Sequence, residues 1–378
     1  MKLAILPDFI EEQWPSMDLV AEMLSHHLPR LEGGEIITPI LRPKYFQLTN
    51  RIPGLGQSKF VRNADRLLNR YVLYPRFLKK NRQNADFFHI CDHSYAHLVH
   101  GLPAERTGVY CHDLDAFQCI LEPEKEPRPL WFRKITHRIL RGMQKARWVF
   151  YTTEVIGNEI RQYGLIPSDR LIHTPNGISP EFTPKTQENE RIDIPIPDNC
   201  PYLLHVGSCI PRKRIDLLLA IFAEVKRQQS GLYLLQIGGT FTQKHLRYIE
   251  EKGLSESIVQ IRGISRELLA KAYRQCKLTL ITSDAEGFGL PVIEALACGS
   301  MVLASDIPPL REVGAQMVEF LPVGDISGWS EKISQLLRCP EMAPSLPARL
   351  QQAAQFTWQK YAQTIANAYR QLESSSRT

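Results

Sequence analysis

Ser283-Asp284-Ala285-Glu286-Gly287-Phe288-Gly289-Leu290-Pro291-Val292-Ile293-Glu294-Ala295 follows an apolar run, Leu278–Ile281, and leads into a helical pattern over Leu290–Ala297. The run reads as a strand, so the stretch is a strand, a loop and a helix start. Glu286 and Glu294 stand eight residues apart. Gly287 and Gly289 let the backbone approach a ligand closely. Pro291 fits the first turn of a helix, whose N-terminus offers unsatisfied N–H groups and a partial positive charge. The combination suits a sugar diphosphate, with amides for the anion and carboxylates for sugar hydroxyls. A plain glycine-rich turn accounts for the glycines alone and less well for all thirteen residues.

His205-Val206-Gly207-Ser208-Cys209-Ile210-Pro211-Arg212-Lys213-Arg214-Ile215-Asp216 has the same grammar. Three cations at a helix mouth are unfavourable for its dipole. A bound anion would offset them, and diphosphate is the natural candidate. A solvated basic loop is the plainer reading. It weakens once both loops are placed at the C-terminal ends of strands in one sheet, where α/β sheets bind ligands.

Outward from these stretches, short β-branched runs alternate with longer amphipathic ones, which predicts βαβ units and parallel sheets. Strands are expected at Lys2–Leu6, Glu35–Pro39, Phe87–Cys91, Thr107–Cys111, Trp148–Tyr151, Tyr202–Val206, Tyr233–Gly238, Ile258–Arg262, Leu278–Ile281 and Met301–Ala304. Helical periodicity marks Met17–Leu28, Asp65–Leu78, Leu130–Lys145, Ile215–Gln228, Leu268–Cys276, Leu290–Ala297, Ser327–Leu337 and Trp358–Leu372. Ser16 is a candidate N-cap for the first helix. The polar, proline-rich stretch Thr183–Pro201 reads as a linker between two halves.

At 378 residues the chain is too long for one ordinary core and suits two α/β domains. No run of 18 apolar residues is present, so nothing reads as a membrane span. Met1–Pro7 is followed at once by acids and reads as a strand, not a signal peptide. The eight cysteines form no C-x-x-C pair and read as reduced thiols of a cytoplasmic protein, without a zinc site.

The net charge of +6 lies in the first 150 residues. Arg51, Lys59, Arg62, Arg66, Arg70, Arg76, Lys79, Lys80 and Arg82 face Asp65 alone within 51–82, interleaved with apolar residues. Arg128 to Arg147 is a second acid-free basic stretch. Three readings of 51–82 stay open: docking on an anionic membrane surface, binding an anionic acceptor, or a solvated helix face. Nucleic acid is not an expected partner, since no recognition motif accompanies the charge.

The motif E-G-F-G-L-P-x-x-E-A, with Glu286 and Glu294, resembles the E-x7-E motif of the retaining family 4 glycosyltransferases. The Gly207-to-Lys213 loop is similar to their phosphate-binding segment. The resemblance continues through Pro175-Asn176-Gly177-Ile178, Ala297–Ser305 and Phe356-Thr357-Trp358, and covers essentially all of 146–375. It implies the GT-B fold: two Rossmann-like parallel-sheet domains facing each other across a cleft. The first would be 1–178, with helix 356–375 packing back on it. The second would be 179–355 and bind the nucleotide sugar.

The resemblance also implies roles. Glu286 would contact donor-sugar hydroxyls beside Gly287, Phe288, Gly289 and Leu290, and Glu294 would hold the ribose. Arg212 and Lys213 would bind the diphosphate and stabilise its departure, with Gly207 and Ser208 in the same loop. Ser208 stands where the commoner motif has arginine, and Arg214 where it has glycine. Cys111-His112-Asp113-Leu114 is similar to an H-D-L segment whose histidine lines the reaction cleft, so His112 is a candidate catalytic residue. Asp92, His93 and Asp113 are candidates for the acceptor side, together with Trp14 in a first loop that lacks the usual glycine pair.

The implied function is retaining transfer of a hexose from a UDP- or GDP-sugar to a hydroxyl of a glycan, lipid or small molecule. No resident cofactor is expected, and no metal, since no Asp-x-Asp motif lies in a suitable loop. The expected location is cytoplasmic, extending to the inner membrane face. Two alternatives remain: another GT-B enzyme such as a sugar-nucleotide epimerase or a phosphorylase, and a non-catalytic nucleotide-sugar-binding protein. No pyridoxal-phosphate lysine is evident, which weighs against a phosphorylase.

Overall fold

The computed structural model describes residues 1–32, 35–47, 59–184, 194–197 and 200–375. It divides into two compact units, Met1–Gly177 with Trp358–Thr378, and Ile178–Thr357. Residues 51–58 of the first basic stretch, and 185–193 and 198–199 of Thr183–Pro201, lie outside the described residues.

The first unit is built on a parallel sheet in the order β1 (Leu3–Leu6), β2 (Phe87–Ile90), β3 (Thr107–Cys111), β4 (Trp148–Tyr151), β5 (Leu171–His173). Strands β1 to β4 are buried at every position. That is why they read as continuous apolar runs rather than alternating ones. Glu35–Pro39, expected as a strand, is not one. Lys2 and Ile37, and Ile5 and Ile40, pair as isolated parallel bridges. Ile37 N donates to Met1 O and Leu41 N to Ile5 O, but Pro39 between them has no N–H, and the ladder breaks there. The segment still runs beside β1, on the side away from β2.

The second unit has the sheet order β11-β10-β9-β6-β7-β8, all parallel. Its strands are β6 (Tyr202–Gly207), β7 (Tyr233–Gly238), β8 (Ile258–Ile261), β9 (Leu278–Ile281), β10 (Val302–Ser305) and β11 (Glu319–Leu321). This is the doubly wound Rossmann order, with its switch point between β6 and β9. The stretch Thr183–Pro201, read as a linker, falls inside this unit. Phe182 is buried in its core, and Ile194 and Ile196 pack against it.

Helices Leu130–Lys145, Ile215–Gln228 and Leu290–Ala297 have the bounds their apolar spacing predicts. The first helix begins at Pro15 with Trp14 as its N-cap, so Ser16 lies inside it; a proline in the first turn costs no hydrogen bond. The basic stretch forms α-helix over Lys59–Leu68, a π-turn over Asn69–Leu73, and α-helix again over Tyr74–Asn81. Helix Trp358–Ser375 joins the first unit, where Trp358, Tyr361, Ile365 and Tyr369 are buried with β1 to β4 residues. All eight cysteines are free. No described helix is long and apolar enough to cross a membrane.

Candidate functional site

In the second unit, β6 and β9 are neighbours at the switch point, and the loops that leave them diverge there. After β6 the chain makes a tight turn over Pro211–Lys213. Arg214 then adopts a left-handed conformation (φ 48°) and starts helix Ile215–Gln228. After β9 comes the loop to Gly289, the N-cap of helix Leu290–Ala297, with φ 93°. A Cβ there would sit 2.6 Å from Leu310 Cδ2, so both conformation and space require glycine.

The two loops are tied together. Asp284 N donates to Arg212 O at 2.9 Å, and Thr282 Oγ1 donates to Lys213 O at 3.0 Å. The Lys213 ammonium donates to Glu286 Oε1, as does Ser283 Oγ at 2.7 Å. Arg212 Nη1 lies 3.4 Å from Glu286 Oε2 and 3.0 Å from Ala285 O. The Glu286 side chain is only 7% exposed. Burial pushes its carboxyl up, but the Lys213 and Arg212 charges outweigh that and hold it below its ordinary range. Arg214 is directed elsewhere. Its guanidinium pairs with Asp216 at 3.0 Å and approaches Asp284 at 4.0 Å.

Glu294 lies on the helix that follows and is buried. Its Oε2 accepts from Tyr273 OH at 3.0 Å. Burial is the largest influence on its carboxyl, which is pushed up to about 7 despite the Tyr273 bond and Arg266. Gly287 and Gly289 are buried and Leu290 half-buried. The Phe288 ring is in the core, edge-on to Phe356 with centroids 5.6 Å apart, so at this position only the backbone is free to face a ligand.

The first unit carries its own polar cluster. Since 36–41 runs on the outer side of β1, the chain diverges between β1 and β2, and Asp8 and Asp92 stand just beyond those strands. Asp92 caps the 3-10 helix His93–Gly101 by accepting from Ser94 N at 2.7 Å and Ser94 Oγ at 2.8 Å. His93 bridges Asp92 (Nδ1, 3.4 Å) and Asp113 (Nε2, 3.7 Å). His112 donates its backbone N–H to His93 Nδ1 at 3.3 Å and sets Nε2 2.8 Å from Cys91 O. Burial, more than Asp92 offsets, lowers the His112 imidazole, so it is neutral near pH 7. Burial first, and the Asp92 charge second, push the Asp8 carboxyl well above its ordinary range. Asp92, His93, His112 and Asp113 are thus brought together. Trp14, 43% exposed, makes no described hydrogen bond to them.

Four residues at these sites were given no site role by the sequence. Ser283 and Tyr273 hold the two glutamates, and Asp8 and Arg70 pack around Asp92 and Glu12. Arg70 lies 3.6 Å from Glu12 and stacks over the Tyr95 ring at 4.0 Å. An aspartate directly after Leu6-Pro7 at a strand end was the available signal for Asp8. Nothing local marks Arg70 for this place, since Glu12 lies 58 and Tyr95 25 residues away along the chain.

Residues 186–357 match the family described as glycosyl transferases group 1. The chain is 28% identical over 300 residues to the serotype-specific mannosyltransferase WbdA of Escherichia coli, covering 75% of this chain and 36% of that protein. It therefore spans about a third of that relative's length. It is 27% identical over 326 residues to the O-antigen chain mannosyltransferase B of Escherichia coli, covering 83% and 82%. Among solved structures it is similar to Anabaena Alr3699/HepE in complex with UDP-glucose (TM-score 0.73, 14% identity, 98% and 100% covered). It is also similar to sucrose-phosphate synthase (tll1590) from Thermosynechococcus elongatus (TM-score 0.71, 18% identity, 99% and 100% covered). The fold is GT-B, with two Rossmann-like α/β units. The match to the family described as glycosyl transferases group 1 falls on the stretch that holds the Glu286 and Lys213 loops.

Proposed function

We propose that the protein is a retaining glycosyltransferase that moves a hexose from a UDP- or GDP-sugar to an acceptor hydroxyl. The observation that carries this reading is the Arg212–Glu286–Lys213 network at the β6/β9 switch point, beside the N-terminus of helix Leu290–Ala297. It gathers two cations and a carboxylate, the groups that a sugar diphosphate would call on. The names of the relatives favour a mannosyl or glucosyl donor.

Arg212 and Lys213 would take the diphosphate with the amides beside Gly207 and Ser208, and Glu286 would turn to the sugar hydroxyls. Gly287, Phe288 and Gly289 would add backbone N–H groups, Leu290 an apolar wall, and Glu294 the ribose contact. As the anomeric carbon–phosphate oxygen bond breaks, the two cations and the helix N-terminus stabilise the charge on the leaving diphosphate. The acceptor oxygen bonds to the anomeric carbon on the same face, and its proton passes to the departing phosphate oxygen. In the first unit His112 would line the reaction centre as a neutral imidazole. Asp92, His93, Asp113 and Trp14 would recognise the acceptor, a glycan, lipid or small molecule. No metal takes part in this scheme, so activity should survive EDTA.

The basic stretch favours an anionic membrane surface as a further partner, at the cytoplasmic face. Arg76, Lys79, Lys80 and Arg82 are exposed. The segment His93–Gly101 joins them to helix Leu130–Lys145, through Arg82 Nη1 to Gly101 O at 3.2 Å and His100 Nε2 to Arg138 O at 2.9 Å. That helix exposes Lys134, Arg138, Arg141 and Lys145 behind Trp131 and Leu130, which are 58% and 74% exposed. Cations beside exposed large apolar side chains fit a lipid interface.

A thermal-shift panel of UDP-, GDP- and ADP-sugars tests the donor assignment. A ligand at about 100 times its dissociation constant adds roughly 2.7 kcal/mol of apparent stability. Stabilisation by one nucleotide class, reduced in Lys213→Ala, is the expected result. If millimolar nucleotide sugar leaves the wild type unmoved, the non-catalytic alternative gains.

A further inference from the structure

Gln236 is a fully buried amide in the middle of an otherwise apolar strand, β7, with the sequence YLLQIG. Its side chain serves the neighbouring strand. Gln236 Nε2 donates to Gly207 O at 2.8 Å. The same carbonyl accepts from Gly239 N at 3.0 Å. Gln236 Oε1 accepts in turn from Gln260 Nε2 at 2.7 Å, and Gln260 Oε1 accepts from Phe241 N at 3.2 Å. Two amide side chains thus form a relay from the end of β8, through β7, to the last residue of β6.

Beyond Gly207 the backbone is held from two sides. On the β7 side it lies so close to Gly239 that a Cβ there would meet Cys209 N at 2.2 Å. On the β9 side, Thr282 and Asp284 fix the Lys213 and Arg212 carbonyls. Between these clamps, no hydrogen bond from the backbone N–H of Ser208, Cys209 or Ile210 is found among the described residues. Three successive N–H groups with no protein acceptor, one turn before Arg212 and Lys213, are what an anion uses in a backbone nest. A peptide carbonyl turned the wrong way at Gly207 would put negative charge beside that anion.

We propose that Gln236 and Gln260 are positioning residues for the phosphates of the donor. They hold the Gly207 carbonyl back in the sheet, which keeps the N–H groups of Ser208–Ile210 available to the diphosphate. The proposal rests on the donor-site reading above and adds the residues that set the loop's polarity. An apolar residue at 236 would leave the Gly207 carbonyl with one donor. The loop would then rotate between two peptide orientations, and only one of them accepts an anion.

The test compares UDP and GDP with uridine and guanosine by calorimetric titration, on the full chain, in wild type, Gln236→Leu, Gln260→Leu and the double variant. Thermal unfolding without ligand checks each fold. Gln260→Leu, at a half-buried position, keeps the comparison alive if the buried substitution does not fold. The expected result is about tenfold weaker binding of the diphosphate in either single variant, with nucleoside binding unchanged. The double variant should lose little more than Gln236→Leu, because a relay broken once is already broken. Equal losses for diphosphate and nucleoside, or unchanged diphosphate binding, overturn the proposal. A wild type that binds neither diphosphate overturns the donor-site reading itself and is recognisable before any variant is compared.

Discussion

The Lys213 ammonium and the Ser283 hydroxyl donate to one and the same oxygen, Oε1 of Glu286. The two groups proposed to divide a nucleotide sugar between them are thus paired with each other. On the proposed reading, a diphosphate beside Lys213 would compete with Glu286 for the cation and free the carboxylate for sugar hydroxyls. Removing one member of so buried a pair leaves a desolvated charge. Lys213→Ala should therefore lower the unliganded stability of the second unit by about 2 kcal/mol. Urea unfolding measures it. The loss in a Lys213→Ala/Glu286→Ala double variant should fall short of the sum of the singles; strict additivity would mean that the pair is not coupled.

Arg214 turns to Asp216 and Asp284 rather than to Glu286 and is held at positive φ, so it is not expected to be a third phosphate ligand. Arg214→Gly should leave nucleotide affinity within about twofold and change stability by no more than about 1 kcal/mol, as relieved strain offsets the lost surface pair. Arg212→Ala should weaken nucleotide diphosphate binding at least about tenfold. Titration of UDP or GDP into both variants separates the roles. Comparable losses would place Arg214 on the ligand.

Glu294 makes stability fall as pH rises. Its carboxyl stands at about 7 in the folded protein against an ordinary 4.5. Between those values the folded state keeps a proton that the unfolded chain releases, so stability is full below the lower value and declines up to the higher one. Glu294→Gln removes this dependence. The variant should match wild type near pH 4 and exceed it at pH 8 by on the order of 3 kcal/mol. Parallel stability curves for the two proteins across that window would rule the cause out.

Sedimentation with vesicles checks the basic face of the first unit. Binding is expected to vesicles containing a third phosphatidylglycerol and not to pure phosphatidylcholine, and to weaken with salt. Lys134→Glu with Arg141→Glu should abolish it, and Trp131→Ala should reduce it several-fold without altering nucleotide binding. If the charge-reversal variant still sediments, the face is merely solvated.

The sheets and the two glutamate loops were legible because each is local. A buried parallel strand is a continuous apolar run, and a helix such as Leu290–Ala297 carries its own period and its own proline. What escaped was short, half-buried or distant. Strands Leu171–His173 and Glu319–Leu321 are three half-buried residues each, too brief for any pattern. Helices Glu154–Gln162 and Gln243–Glu251 are short, polar surface helices whose caps, Thr153 and Thr242, were the only sequence signals. Glu35–Pro39 had strand composition, but one missing N–H decided against it. At the sites, the E-x7-E loop identified Glu286 and Glu294. Their holders, Ser283 and Tyr273, depend on how strands and helices pack.

Helix Trp358–Ser375 closes the core of a unit whose other residues all precede Ile178. Tyr369 donates to Phe88 O at 2.8 Å and sits 3.3 Å from His89 Nδ1, some 280 positions earlier in the chain. The second unit is therefore an insertion within the unit that starts first. On the ribosome, β1 to β5 emerge early but wait for their last wall until the whole inserted unit has been made. A nascent chain stopped at Thr357 should hold a finished second unit beside an unfinished first one. The order of completion is the reverse of the order of synthesis.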